Sequence, residues 1–228
     1  MGDASFQPIV DTTRRAEVVA ALRRAILTGQ LPPGQKVNEM RIAEQMRVSR
    51  APLREAIREL IQEGLLTNIP YAGAYVINVT AKDVSDTYAL HRTLEDFAID
   101  CAWPMRDDRF RDELDRRHEA VKRATLDIDI TQQIETALRL HGLIYEWADN
   151  ALLLDAWQRL ARRLQMYFAL HQRARNEQVP AVDLHEDYVR LLKGDDMAAA
   201  KAHAREHIDW DFDELVAYAR SLEQEHER

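Results

Sequence analysis

In residues 14–28, RRAEVVAALRRAILT, the apolar positions Val18, Val19, Leu22, Ile26 and Leu27 recur at helical spacing, and Gly29 followed by LPPG ends the run. Asn38 is placed to cap a short helix reaching about Met46. After the tight link RVS, Ser49 is placed to cap another, with Pro52 in the first turn, where amide donors lack partners anyway. On that helix Leu53, Ala56, Ile57, Leu60 and Ile61 share one face, and Ala51, Arg54, Arg58 and Gln62 lie on a neighbouring one. Beyond Gly64, LLTNI and YVINV are β-prone runs joined by PYAG, whose Pro and Gly suit a turn. The order is helix, turn, helix, helix and a hairpin wing.

Thr80 and Asp83 in TAKD form a capping box with Asp in place of the usual Glu or Gln. From there the pattern is helical to the C-terminus: 81–103, closed by Trp103-Pro104, then 107–124, 131–148, 151–174, 181–193 ended by Gly194, and 195–224. Asn150 reads as an N-cap at a helix junction. The expected fold class is mainly α: an N-terminal winged helix-turn-helix with a short β-hairpin over 1–79, and a C-terminal all-α antiparallel helical bundle over 80–228.

Charge sharpens that division. The formal net charge is −8, yet residues 1–80 hold 10 Lys/Arg against 8 Asp/Glu, and the remainder holds 21 against 31. The second helix of a helix-turn-helix enters the DNA major groove by its N-terminal residues, and arginine has the fork that matches both guanine edges and phosphate oxygens. Arg50, Arg54 and Arg58 are therefore expected to face DNA. The competing reading is a solvated face on which they pair with Glu55, Glu59 and Glu63. The single cysteine, Cys101, excludes an intramolecular disulfide and reads as a small buried apolar residue. No stretch approaches the roughly 18 apolar residues of a membrane span, and the N-terminus has no secretory pattern, so a cytoplasmic protein is expected.

The stretch RRAILTGQLPPGQKVNEMRIAEQMRVSRAPLREAIRELIQEGLLTNIPYAGAYV resembles the DNA-binding domain of the GntR family of bacterial transcription regulators over almost its whole length. The resemblance implies that Arg50 and Arg54 read bases, that Ser49 and nearby amides hold phosphates, and that Gly73 lets the wing tip approach the minor groove. Ala51 stands where many members have Thr, so that hydroxyl contact is not implied here. LHRTLEDFAIDCAW, residues 90–103, is similar to the opening of the FadR-type C-terminal effector domain, which carries the resemblance to about residue 212. It implies a divalent metal held by an Asp and three histidines beneath a pocket for a small organic acid. His141, His185 and His207 fall at the histidine positions, and Ala137 takes the place of the Asp. Arg92 occupies the family's arginine position and is the leading candidate to grip the effector's carboxylate, the alternative being a buried or interhelical pair with a carboxylate such as Glu95. Arg139, Arg163 and Tyr88, with Tyr167 and Trp210, are candidates to line the pocket.

Three histidines on separate helices can converge in a bundle core, where neutral imidazoles suit Zn, Ni, Fe or Mn-like ions. Neutral ligands cancel none of the ion's charge. Without a carboxylate at 137 the ion is held more weakly and leans on an anionic fourth ligand, which the effector can supply. The other reading dispenses with metal and has the histidines donate hydrogen bonds to a carboxylate directly. His203 and His207, at i, i+4, form a competing local pair. Taken together, the expectation is a ligand-responsive regulator: a homodimer that binds an inverted-repeat operator in double-stranded DNA, senses a small carboxylate and catalyses nothing. The rival is a metal-dependent hydrolase whose three histidines activate a water; Glu186, beside His185, points about 100° away and is a poor base for it. A bundle with no cavity would indicate a structural dimer without an effector.

Overall fold

The computed structural model describes residues 12–126, 130–175 and 184–226. The chain divides into two compact units, with the boundary between Ile77 and Asn78.

In the first unit, helix α1 (Thr12–Leu27) packs on α3 (Arg50–Gln62). The predicted apolar positions Val18, Val19, Leu22, Ile26 and Leu27 are buried, as are Leu53, Ala56, Ile57 and Leu60. Between them α2 (Glu39–Met46) opens at Asn38, whose side chain accepts from the Arg41 amide at 3.1 Å. It closes at Arg47, which takes the left-handed conformation (φ 53°) and donates its amide back to the last turn, swinging the chain into α3. Ser49 has the extended backbone of an N-cap but makes no capping bond, which corrects the expected cap. Strands β1 (Leu66–Ile69) and β2 (Gly73–Val76) pair antiparallel, from Leu66 opposite Val76 to Ile69 opposite Gly73.

In the second unit, α4 (Ala81–Ala102) starts on the predicted capping box, with Thr80 and Asp83 bonded reciprocally. It is followed by α5 (Asp108–Ala124), α6 (Ile130–Trp147), α7 (Ala151–Arg175), α8 (Glu186–Lys193), α9 (Met197–Ile208) and α10 (Phe212–His226). Helix α4 is the hub, touching α6, α7, α9 and α10. Its buried stripe runs through Val84, Tyr88, His91, Glu95, Ile99 and Ala102, so an imidazole and a carboxyl stand among the core positions. Asn150 caps α7 through the Leu153 amide at 3.1 Å. Residues 181–183, the start of the predicted helix 181–193, lie outside the described residues. Cys101 is half-buried rather than buried, because two positions past Ile99 it has turned off the core stripe of α4.

The single helix expected over 195–224 is two. The break falls at Asp209, Trp210 and Asp211, where Asp209 accepts from the Arg92 guanidinium and Asp211 from the Tyr88 hydroxyl. Both bonds come from α4, a partner that local periodicity cannot reveal. Among the described residues no helix is long and apolar enough to cross a membrane.

Candidate functional site

A cavity of about 460 Å³ lies within the second unit. His141 on α6, His185 immediately before α8 and His207 on α9 all line it, and their ligating nitrogens lie within 4.8 Å of one another. Nε2 of His207 stands 3.2 Å from Nε2 of His141. Two zinc–nitrogen bonds of about 2.0–2.1 Å meeting at the tetrahedral angle put their nitrogens about 3.3–3.4 Å apart. The His141–His207 pair is thus spaced as ligands to one ion, and His185 has only to close in. Burial, with His141 and His185 beside it, pushes His207 well below the usual imidazole range, toward the neutral form that a metal takes. Ala137, one turn before His141, also lines the cavity and leaves room on that side for a carboxylate brought by an occupant.

Behind His141 stands Glu95, which the sequence offered only as a partner for Arg92; Arg92 bonds Asp209 instead. It is 1% exposed and accepts from the hydroxyls of Tyr145 at 2.8 Å and Tyr188 at 2.6 Å. Nδ1 of His141 and Nε2 of His91 each lie 3.6 Å from its oxygens. Burial drives the Glu95 carboxyl up, but the two imidazoles outweigh burial and hold it well below the usual carboxylate range. Burial and the Glu95 charge push both tyrosine hydroxyls well up, so they stay protonated donors. A carboxylate on the Nδ1 side of His141 favours the tautomer with a proton there, which frees the Nε2 lone pair for a metal. A signal was present in the sequence: Tyr88, His91 and Glu95 share the core face of α4, and a glutamate on such a face is almost never fully buried without partners.

A second polar group lines the same cavity. Asp211, four residues past His207, accepts from Tyr88 at 2.9 Å, and its other oxygen lies 3.4 Å from Nδ1 of His171. Nε2 of His171 is in turn 2.9 Å from the Glu214 carboxylate. Burial raises the Asp211 carboxyl above its ordinary range. Tyr88 and Trp210 line the cavity as expected. Arg92, Arg139 and Arg163 do not, which corrects their expected placement. Arg92 follows His91 by one position and so leaves α4 about 100° from the cavity-facing stripe; it bonds Asp209 and lies over the Phe212 ring. Arg139 is exposed beside Glu135, Arg163 is exposed on α7, and Tyr167 is buried against Thr87.

In the first unit, Ala51, Arg54, Arg58 and Gln62 are all exposed, as the helical spacing predicts. Glu59 and Glu63 are engaged by Arg15 and Arg23 of α1 rather than by the α3 arginines. Arg54 reaches Glu39 at 3.0 Å in an exposed pair. Such pairs contribute about 0.2–1 kcal/mol, little enough for a phosphate or a base to displace. Arg50 and Arg58 are exposed and make no ion pair among the described residues. Gly73 has φ 101°, a backbone conformation that side chains rarely adopt, and Tyr71 beside it at the wing tip is fully exposed.

Residues 14–76 match the family described as bacterial regulatory proteins, gntR family, and residues 86–209 match the FCD domain. The chain is 29% identical over 209 residues to a probable D-xylose utilization operon transcriptional repressor of Paenarthrobacter nicotinovorans, covering 90% of each chain. It is 25% identical over 184 residues to the gluconate operon transcriptional repressor of Bacillus licheniformis, covering 78% of this chain and 75% of that one. Among solved structures it is similar to Escherichia coli McbR/YncC, with a TM-score of 0.69 at 21% identity, covering 88% of this chain and 96% of the other.

Proposed function

The chain belongs to the GntR family of bacterial regulatory proteins, carries an FCD domain in its C-terminal half and is a transcriptional regulator; from that premise we propose that it acts as a homodimer on an inverted-repeat operator and senses a small organic acid at a divalent metal held by His141, His185 and His207. The observation that carries this reading is the convergence of those histidines on one cavity of about 460 Å³, a size suited to a small ligand. A Zn, Ni or Mn-like ion, when bound, supplies the positive charge that attracts a carboxylate to the place left by Ala137. Tyr88, which also lines the cavity, contacts the effector. Arg92 works from outside the cavity, anchoring Asp209 and with it the turn that carries Trp210 and Asp211.

On the DNA side, Arg50 and Arg54 read bases, Ser49 and Arg58 hold phosphates, and Gly73 lets the wing approach the minor groove. The exposed, weakly paired arginines of α3 support this assignment, and a two-fold dimer suits an inverted repeat because each recognition helix needs its own half-site. The DNA-binding domain is 1–79 and the effector domain 80–228, in a protein working in the cytoplasm. The hydrolase alternative falls with the family, whose members among its relatives are regulators and not enzymes.

The test is to select operators from a random duplex pool with the purified protein. Complex mass and footprint are then measured with added zinc and a panel of small carboxylates, before and after chelation. A symmetric footprint from a dimer, with affinity changed several-fold by at least one carboxylate only when metal is present, is expected. A monomeric complex, or DNA affinity and melting temperature indifferent to every carboxylate, refutes the reading.

A further inference from the structure

We infer that Tyr71 at the tip of the wing reads base pairs: its ring enters the minor groove, and its hydroxyl favours A·T over G·C beneath the wing. This rests on the reading that the wing approaches the minor groove, and it adds a discriminating side chain where Gly73 offers only backbone.

The turn that joins β1 to β2 is closed by the Ala72 amide, which donates to the Ile69 carbonyl at 3.0 Å. Pro70 takes the second position of this turn, and Tyr71, in the third, has φ 63°. That is the pattern of a type II turn, whose third position suits glycine or asparagine because other side chains are strained there. Tyr71 carries the strain with no contact to offset it. Its side chain is fully exposed, and among the described residues it makes no hydrogen bond, ion pair or ring contact. A strained backbone that holds a large side chain clear of the fold points to a partner outside the chain.

The surroundings of the tip favour nucleic acid as that partner. Residues 64–82 contain no Asp or Glu, so no carboxylate on the hairpin repels phosphates. Lys36, bridged to Tyr75 through the backbone, runs along the wing. Its Nζ lies 5.9 Å from the centre of the Tyr75 ring, and its Cε is 3.7 Å from where a Cβ on Gly73 would stand. This cation is placed to hold a phosphate at the groove edge while the tip goes in.

The chemistry of tyrosine sets the preference. The minor groove is about 6 Å wide and admits an aromatic ring edge-on. Its floor presents acceptors at every A·T pair, to which a phenol hydroxyl can donate. A G·C pair adds the guanine amino group, which projects into the space that the ring would take. Runs of A·T also narrow the groove, bringing its walls against both faces of the ring.

The experiment measures the affinity of the full-length protein for its selected operator with 2,6-diaminopurine replacing adenine one pair at a time. That base adds an amino group in the minor groove and leaves the major-groove edge of adenine unchanged. The wild type is expected to lose about five-fold or more at one or two pairs beside the half-site read by α3. Tyr71→Gly and Tyr71→Asn both suit the turn, so their melting temperatures should equal or exceed that of the wild type. Both should bind the unmodified operator about five-fold or more weakly and lose nothing further to diaminopurine at those pairs. Tyr71→Phe, which lacks only the hydroxyl, should fall between them and the wild type. None of these changes removes a charge, so the slope of log affinity against log salt should stay that of the wild type, whereas Lys36→Met should shrink it by about one. If no diaminopurine weakens the wild type, or if both turn-compatible variants bind as tightly as it does or keep its losses, the inference is overturned. Protection of the minor groove from hydroxyl radicals beside the half-site would then leave the wing reading standing, and its absence would bring that reading down as well.

Discussion

Replacing Glu95 by Gln keeps the side chain's shape and removes its charge. The carboxylate accepts two tyrosine hydroxyls, at 2.8 and 2.6 Å, and faces two imidazoles at 3.6 Å. A hydrogen bond to a charged group contributes about 1.5–3 kcal/mol and a neutral one about 0.5–1.5 kcal/mol. Gln has one acceptor oxygen, so one tyrosine loses its acceptor and the other exchanges a charged acceptor for a neutral one, a gross loss of about 2–4 kcal/mol. Relief of the buried charge offsets part of this, leaving a net destabilisation of about 2 kcal/mol. The same change removes the anion that orients His141, and losses of such supporting carboxylates cost about 10–100-fold in metal affinity. The assay pairs zinc calorimetry with urea unfolding followed by tryptophan fluorescence, for which Trp157, stacked on Tyr145 at 4.4 Å, is a local reporter. Because the folded Glu95 carboxyl lies below its ordinary value of 4.5, its stabilisation is complete above that pH and is lost only as pH falls through the folded value. The stability gap between wild type and variant therefore persists from neutral pH down to about 4.5 and closes below it. Lost stability with unchanged zinc affinity would show that Glu95 supports the core and not the metal site; no change in either would refute an ionised Glu95.

Ala137→Asp restores a carboxylate one turn before His141 and should tighten zinc binding, while His141→Ala weakens it; equal affinities in all three proteins, measured by competition with a chelating dye, would exclude a metal role for this set. Arg54→Ala and Arg50→Ala should each weaken operator binding by about 1–3 kcal/mol per half-site, without loss of helicity by circular dichroism; unchanged mobility shifts would mean that the α3 arginines only face solvent. In chelator-treated protein, His207 resists protonation when folded and accepts it near pH 6.5 when unfolded. Stability should then drop as pH falls below about 6.5, and His207→Asn should flatten that drop in a melting-temperature series; an identical slope in both proteins would place the dependence elsewhere.

Local physics accounts for what the sequence by itself determined. Apolar spacing placed α1 and α3 and their buried faces, Asn38, Asn150 and the Thr80–Asp83 box set helix starts, and Gly73 marked the wing, because each depends on neighbours within one or two turns. The His141, His185 and His207 set was legible through the family resemblance. Tertiary structure alone decided which groups complete the site. Glu95 is held at the site because Tyr145 and Tyr188 arrive from α6 and α8 and because His91 and His141 face it. Arg92 misses the cavity by one residue's rotation about α4, and the two aspartates at the break between α9 and α10 are bonded by Arg92 and Tyr88 of α4. Periodicity tells which face of a helix is buried, but the group it meets there depends on how separate helices cross, and that is a property of the folded unit rather than of any stretch of chain.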